Sequence, residues 1–73
     1  MFSVVIGTIE RAKHFNKILS SHDGNVDVKQ GRYVVDGKSI MGLFALNLIS
    51  PVIVTTTGDE ESLLQKCREE NII

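Results

Sequence analysis

The 73-residue sequence has few of the residues on which several common classes of protein depend. Its single Cys excludes an internal disulfide framework and a zinc finger, and suits a reducing compartment. It has no Trp and an aromatic fraction of only 5%, so the core must be mainly aliphatic. The longest apolar run, from Leu43 to Ile49, is interrupted by Asn47 and is too short to cross a bilayer. No basic segment followed by an apolar block marks a secretion signal, so we expect a cytoplasmic protein.

The overall composition is that of a small globular domain. The hydrophobic fraction is 42%, the charged fraction is 23%, and the net charge is −1. A charge so close to zero argues against nucleic acid or an anionic membrane as a partner. A chain of this length forms one domain, residues 1–73, with little room for a buried cavity, so any chemistry should lie at the surface. We predict no metal site and no cofactor.

Hydrophobic periodicity predicts the order strand, helix, strand, strand, helix, strand, helix. The corresponding fold class is α+β: an open-faced β-sandwich, with a four-stranded, mainly antiparallel sheet and three helices on one face. The predicted elements are an alternating strand over Phe2, Val4 and Ile6; a helix from Ile9 to about Ser20 with Ile9, Ala12, Phe15 and Leu19 on its apolar side; a hairpin from Asn25 to Val35 turning at Gln30-Gly31; a helix from Ile40 to about Leu46, ended by Asn47; a strand from Val52 to Thr56; and a last helix with Leu63, Leu64 and Cys67 on its apolar stripe.

Three helix starts are predicted from side chains that accept free backbone N–H groups. Thr8 precedes the first helix and Ser39 precedes the second. Thr57 and Glu60 have the spacing of a capping box before the third helix.

The segment from Gly31 to Leu46, with Asp36-Gly37-Lys38-Ser39 at its centre, closely resembles the regulatory-serine region of HPr. HPr is the histidine-containing phosphocarrier protein of the bacterial sugar phosphotransferase system. The predicted order of elements is also that of the HPr family, and the resemblance extends over nearly the whole chain. It implies a bacterial protein with an HPr-like fold.

The phosphorylatable His of the HPr family does not carry over to this sequence. In a gap-free register, Thr8 takes the place of that His, Glu10 that of the family's Arg, and Arg11 that of its Pro. A carrier His needs a neutral imidazole nitrogen and cationic or backbone donors for its phosphoryl group. The Thr8 hydroxyl is a poor nucleophile without a base, and Glu10 would repel a phosphoryl anion. We therefore expect the usual carrier chemistry to be lost.

Two other His residues leave an alternative open. His14 lies six positions after Thr8, and His22 follows the first helix near its negative end. A His in a helix or loop of this kind is more often an exposed surface residue than a phosphoryl carrier. The alternative reading is an active phosphocarrier that uses His14 or His22.

Ser39 is the residue that matches the family. Ser39 is predicted to be an N-cap. The resemblance also implies that an ATP-dependent serine kinase phosphorylates it, with Lys38 supplying a cation beside the phosphate. The resemblance also places Ile40, Met41 and Phe44 on the family's partner-docking patch, while Leu43 and Leu46 supply the core-facing side.

The function expected on these grounds is that of a regulatory or protein-binding module acting through the surface around Ser39, not that of an enzyme. Its partners would be proteins of the phosphotransferase or carbon-regulation systems, including a serine kinase. The other alternative is a degenerate paralogue that keeps the fold without a phosphotransfer role.

Overall fold

Residues 1–73 are described by a computed structural model, in which three helices cover one face of a four-stranded sheet. Every neighbouring pair of strands is antiparallel, and the strand order is β1-β4-β2-β3. This confirms the predicted fold class and element order. None of the helices is long and apolar enough to cross a membrane. The elements are β1 (Phe2–Val4), α1 (Ile9–Ser20), β2 (Val26–Gln30), β3 (Tyr33–Asp36), α2 (Ile40–Phe44), β4 (Val52–Thr56) and α3 (Glu60–Glu69).

The core lies between the sheet and the helices and is entirely apolar. Alternate residues of the central strands point into it, because successive side chains of a strand face opposite sides of the sheet. Fifteen buried hydrophobic residues form one cluster, and no polar or charged residue is buried. Phe15 on α1, Leu43 on α2 and Leu63 on α3 are among its largest members and tie the three helices to one centre.

Cys67 belongs to this core, as the sequence predicts. Burial raises the pKa of its thiol to about 11, from an ordinary value of 9.0. Because the thiolate is the reactive form, the native thiol should be at least about a hundredfold less reactive toward iodoacetamide at pH 8 than the urea-unfolded chain. Mass-spectrometric labelling rates test this. Equal rates in the native and unfolded protein would contradict the buried position.

Two predicted positions are wrong in the first half of the chain. The hairpin turns at Gly31-Arg32 rather than Gln30-Gly31, because Gln30 pairs with Tyr33. Gly31 has a φ of 59°, a positive value of the kind that two-residue hairpin turns require. Ile9, the first residue of α1, is 57% exposed and does not join the core.

The predicted end of α2 and the predicted cap of α3 are also wrong. The second helix ends at Phe44, because the backbone N–H of Asn47 donates to the Gln30 side chain (2.8 Å) instead of continuing the helix. The cap of α3 is Asp59, whose side chain accepts from the Ser62 N–H (3.3 Å). Thr57 does not cap the helix, since its hydroxyl oxygen accepts from the Asn25 N–H.

The connections before β2 and after β4 lie close together at Gly58. A Cβ added at Gly58 would lie 2.0 Å from the carbonyl oxygen of Asp23 and 2.9 Å from Nε2 of His22. Only a residue without a side chain fits between these atoms.

Candidate functional site

The start of α1 is the position at which the resemblance places a carrier His. Thr8 has extended backbone geometry and its Oγ1 accepts from the Arg11 N–H (3.1 Å), so it caps α1 as predicted. Glu10 follows in the first turn and is exposed, with Lys13 3.7 Å from its carboxylate. This helix start therefore presents a hydroxyl and a carboxylate.

The Arg11 guanidinium, the cation nearest to Thr8 in the sequence, turns away toward the chain's last residues. Its Nε donates to the carbonyl oxygen of Ile6 (2.6 Å). Its two terminal nitrogens donate to the carbonyl oxygens of Asn71 (3.1 Å) and Ile72 (2.7 Å). The guanidinium thus holds the residues after α3 against the start of α1 and is committed to backbone oxygens.

Replacing Arg11 with Gln should destabilise the fold by about 1.5–3 kcal/mol, the usual contribution of hydrogen bonds to a charged group. The loss should concentrate in the last residues, where amide exchange at Asn71 and Ile72 is expected to accelerate. The matched control is Lys13→Gln, which removes only an exposed ion pair and should cost less than about 1 kcal/mol. Equal effects of the two substitutions would show that the guanidinium contacts contribute little.

His14 faces α3, not the start of its own helix. Its Nε2 lies 2.8 Å from Oε1 of Glu70. This hydrogen bond, together with the nearby Lys66, lowers the pKa of Glu70 from its ordinary value. A lowered carboxylate pKa stabilises the fold above the ordinary Glu pKa, and that contribution is lost as the pH falls through the lowered value. A carboxylate in contact with Nε2 would also oppose a phosphoryl group there.

His22 lies in the connection between α1 and β2. Its Nε2 is buried and has no hydrogen-bond partner, and the approach of Gly58 described above closes it in. An incoming phosphoryl donor would have to displace this connection to reach it. His22 also contributes its carbonyl oxygen, which accepts from Nζ of Lys38 (2.8 Å).

Ser39 caps α2, as predicted, and is half-buried. Its Oγ accepts from the Gly42 N–H (3.2 Å), and its own N–H donates to the Asp36 carbonyl oxygen (3.0 Å). Lys38 precedes it, with its N–H bonded to the Asp36 carboxylate (2.9 Å) and its ammonium bonded to His22. The Ser39 hydroxyl is therefore held in place by the turn that starts α2.

The side chains that follow Ser39 divide between core and solvent. Leu43 and Leu46 are buried, as predicted for the core-facing side. Ile40 is half-buried, Phe44 is 37% exposed and Met41 is 72% exposed. We call Lys38, Ser39, Ile40, Met41 and Phe44 the α2 surface.

The structure thus places the predicted site residues in separate parts of the molecule. The α2 surface comes from one short stretch of the chain, residues 38–44, and is partly exposed. Thr8 lies at the start of α1, His14 on the side of α1 that faces α3, and His22 in the connection after α1. The Arg11 and Lys38 contacts with carbonyl oxygens were not predicted. Because a carbonyl is present in every residue, no sequence pattern marks which one a cation will bind.

The fold is HPr-like. The chain is similar to the crystal structure of HPr-C-His from Thermoanaerobacter tengcongensis, with a TM-score of 0.77 and 21% sequence identity, over 93% of this chain and 85% of that chain. No protein-family model and no curated protein matches the sequence.

Proposed function

We propose that this chain is a regulatory, protein-binding module with an HPr-like fold that does not carry phosphoryl groups on the usual His and acts through the α2 surface. The observation that carries the proposal is the contrast between the residues at the start of α2 and those at the start of α1. Around Ser39 the residues that match the HPr family are present and partly exposed. At the start of α1, Thr8 and Glu10 take the places of the family's His and Arg. Its partners would be proteins of the phosphotransferase or carbon-regulation systems in a bacterial cytoplasm.

The geometry of Ser39 supports a role as a regulated hydroxyl. Its Oγ is fixed by the Gly42 N–H, and a phosphoserine at the same position keeps oxygens that can accept from that N–H. Phosphorylation would place roughly two negative charges beside Met41 and Phe44, changing which proteins the α2 surface attracts. A modification at Ser39 therefore switches the binding surface without rebuilding the fold.

The exposed apolar side chains support docking. Met41 is 72% exposed although Leu43 on the same helix is buried, and Phe44 extends the apolar area beside it. Met side chains adapt to irregular partner surfaces because they are flexible and polarisable. An apolar area flanked by Lys38 and Ser39 has the composition of a small protein interface.

A carrier role for His14 or His22 is less well supported. Nε2 of His14 is bonded to Glu70, and Nε2 of His22 is buried. A paralogue with neither carrier nor regulatory activity remains the alternative against which the proposal is tested.

The test is incubation with ATP and a bacterial kinase that phosphorylates HPr on serine. The γ-phosphoryl group should pass from ATP to Oγ of Ser39, with ADP leaving and the hydroxyl proton passing to the kinase. Intact mass should rise by one phosphate in the native protein and not in Ser39→Ala. Met41→Ser should raise KM with little change in kcat, because it weakens docking and not the reacting group.

The matched control for docking is Ile73→Ser, which removes another half-exposed apolar side chain, at the C-terminal residues held by Arg11. It should leave the kinetics unchanged. No phosphate on Ser39 would favour the degenerate paralogue. Equal effects of Met41→Ser and Ile73→Ser on KM would show that the kinase does not dock on the α2 surface.

A further inference from the structure

Strand β3 forms an open edge of the sheet. It pairs with β2 on one side only and contains no Pro and no Lys. Tyr33 and Val34 on it are 72% and 56% exposed. An edge with exposed β-forming side chains can pair with another strand.

The backbone groups of Val34 point outward from this edge. The N–H of Gly37 donates to the carbonyl oxygen of Val26 (2.8 Å), one step beyond the last residue pair of the β2–β3 ladder. Hydrogen-bonded pairs alternate along an antiparallel ladder, so Val35 and Tyr33 direct their backbone groups toward β2. Val34 directs its own N–H and carbonyl away from β2, and it makes no backbone hydrogen bond outside the sheet.

The charges beside the edge are arranged symmetrically about Val34. Arg32 lies two residues before it and Asp36 two residues after it, and both are exposed. If a second copy of β3 runs antiparallel with Val34 opposite Val34, each Arg32 lies beside the Asp36 of the other copy. In the same register, Tyr33 of each copy lies opposite Val35. Opposite charges and aromatic–β-branched pairs both stabilise neighbouring strands.

We propose that two copies of this chain associate through their β3 edges, with the two-fold axis between the Val34 residues. Two backbone hydrogen bonds join the Val34 residues, and an Arg32–Asp36 pair closes each end. The two sheets become one eight-stranded sheet, with both helix layers on the same side. The charge pattern selects a second copy as the occupant because the edge is complementary to itself. The contact is short, so the association is weak and concentration-dependent.

Sedimentation equilibrium from about 10 μM to 1 mM tests the proposal, since weak association falls in that range. The apparent mass should rise toward that of a dimer, and amide shifts should change at residues 32–36. Val34→Pro should abolish association while keeping the β2–β3 ladder, because it removes only an outward N–H. Arg32→Asp should weaken association at least tenfold. Arg68→Asp, the same charge change on α3, should not.

Mixing two variants gives the decisive result. Arg32→Asp alone makes both ends of the edge acidic, and Asp36→Arg alone makes both ends basic, so each variant should associate at least tenfold more weakly than the native protein. An equimolar mixture should associate, because every end then meets its opposite charge. A native protein that is monomeric throughout, or a mixture that stays monomeric, would overturn the proposal. So would a dimer that is insensitive to Val34→Pro.

Discussion

Replacing Thr8 with His and Glu10 with Arg is expected to make this chain accept a phosphoryl group from phosphoenolpyruvate through the first enzyme of the phosphotransferase system, whereas the native chain accepts none. The new imidazole stands before α1, where the Arg11 N–H is released from the Thr8 hydroxyl. The new Arg replaces a carboxylate with a cation beside the phosphoryl group. Intact mass before and after acid treatment measures the effect, because phosphohistidine is acid-labile.

The single variant Thr8→His separates the two contributions. It should be phosphorylated about tenfold to a hundredfold more slowly than the double variant, the rate equivalent of losing one charge-assisted hydrogen bond. The slower rate is expected because the Arg11 guanidinium is bound to the carbonyl oxygens of Ile6, Asn71 and Ile72 and cannot substitute. Acid-labile phosphate on the native chain, lost in His14→Gln or His22→Gln, would instead support the alternative carrier.

Replacing Phe15 with Ala is expected to remove a large part of the protein's free energy of unfolding. Phe15 is fully buried at the centre of the core, and truncating such a side chain costs about 3–5 kcal/mol. A chain of 73 residues has a total free energy of unfolding of roughly 4–11 kcal/mol. Urea unfolding followed by circular dichroism should therefore show a much lower midpoint than in the native protein.

The control for this substitution lies on the same helix. Ile9→Ala removes an apolar side chain that is 57% exposed and should change the free energy of unfolding by about 0.5 kcal/mol or less. A comparable loss from both variants would mean that the core is not centred on Phe15.

The fold follows from the sequence where periodicity and burial agree. Val26 and Val28 alternate with charged residues, and Ala12, Phe15 and Leu19 repeat at helical spacing, so strand and helix are both recognisable. The errors occur where a distant residue determines a local feature. The second helix ends at Phe44 and not near Leu46, because Gln30 accepts the N–H of Asn47. The Thr57 hydroxyl accepts from Asn25, and Asp59 caps α3 in its place.

In the candidate site, too, features set by nearby residues could be predicted and features set by distant residues could not. Ser39 and Thr8 cap their helices as predicted, because a cap depends on residues only three positions away. The partners of Arg11, 60 and 61 residues further along the chain, could not be predicted from local pattern. The pairing of His14 with Glu70, 56 residues away, also exists only in the folded chain.

The close approach at Gly58 has a consequence for how this protein tolerates sequence change. In a library containing every amino acid at each position, Gly58 should accept no replacement, since even one methyl group collides with the main chain at Asp23. Gly31, where an added Cβ meets nothing within 4 Å, should tolerate Asn and Asp, the residues that most readily adopt its positive φ. Two glycines in one small chain would thus give opposite substitution profiles, one limited by space and the other by backbone angle.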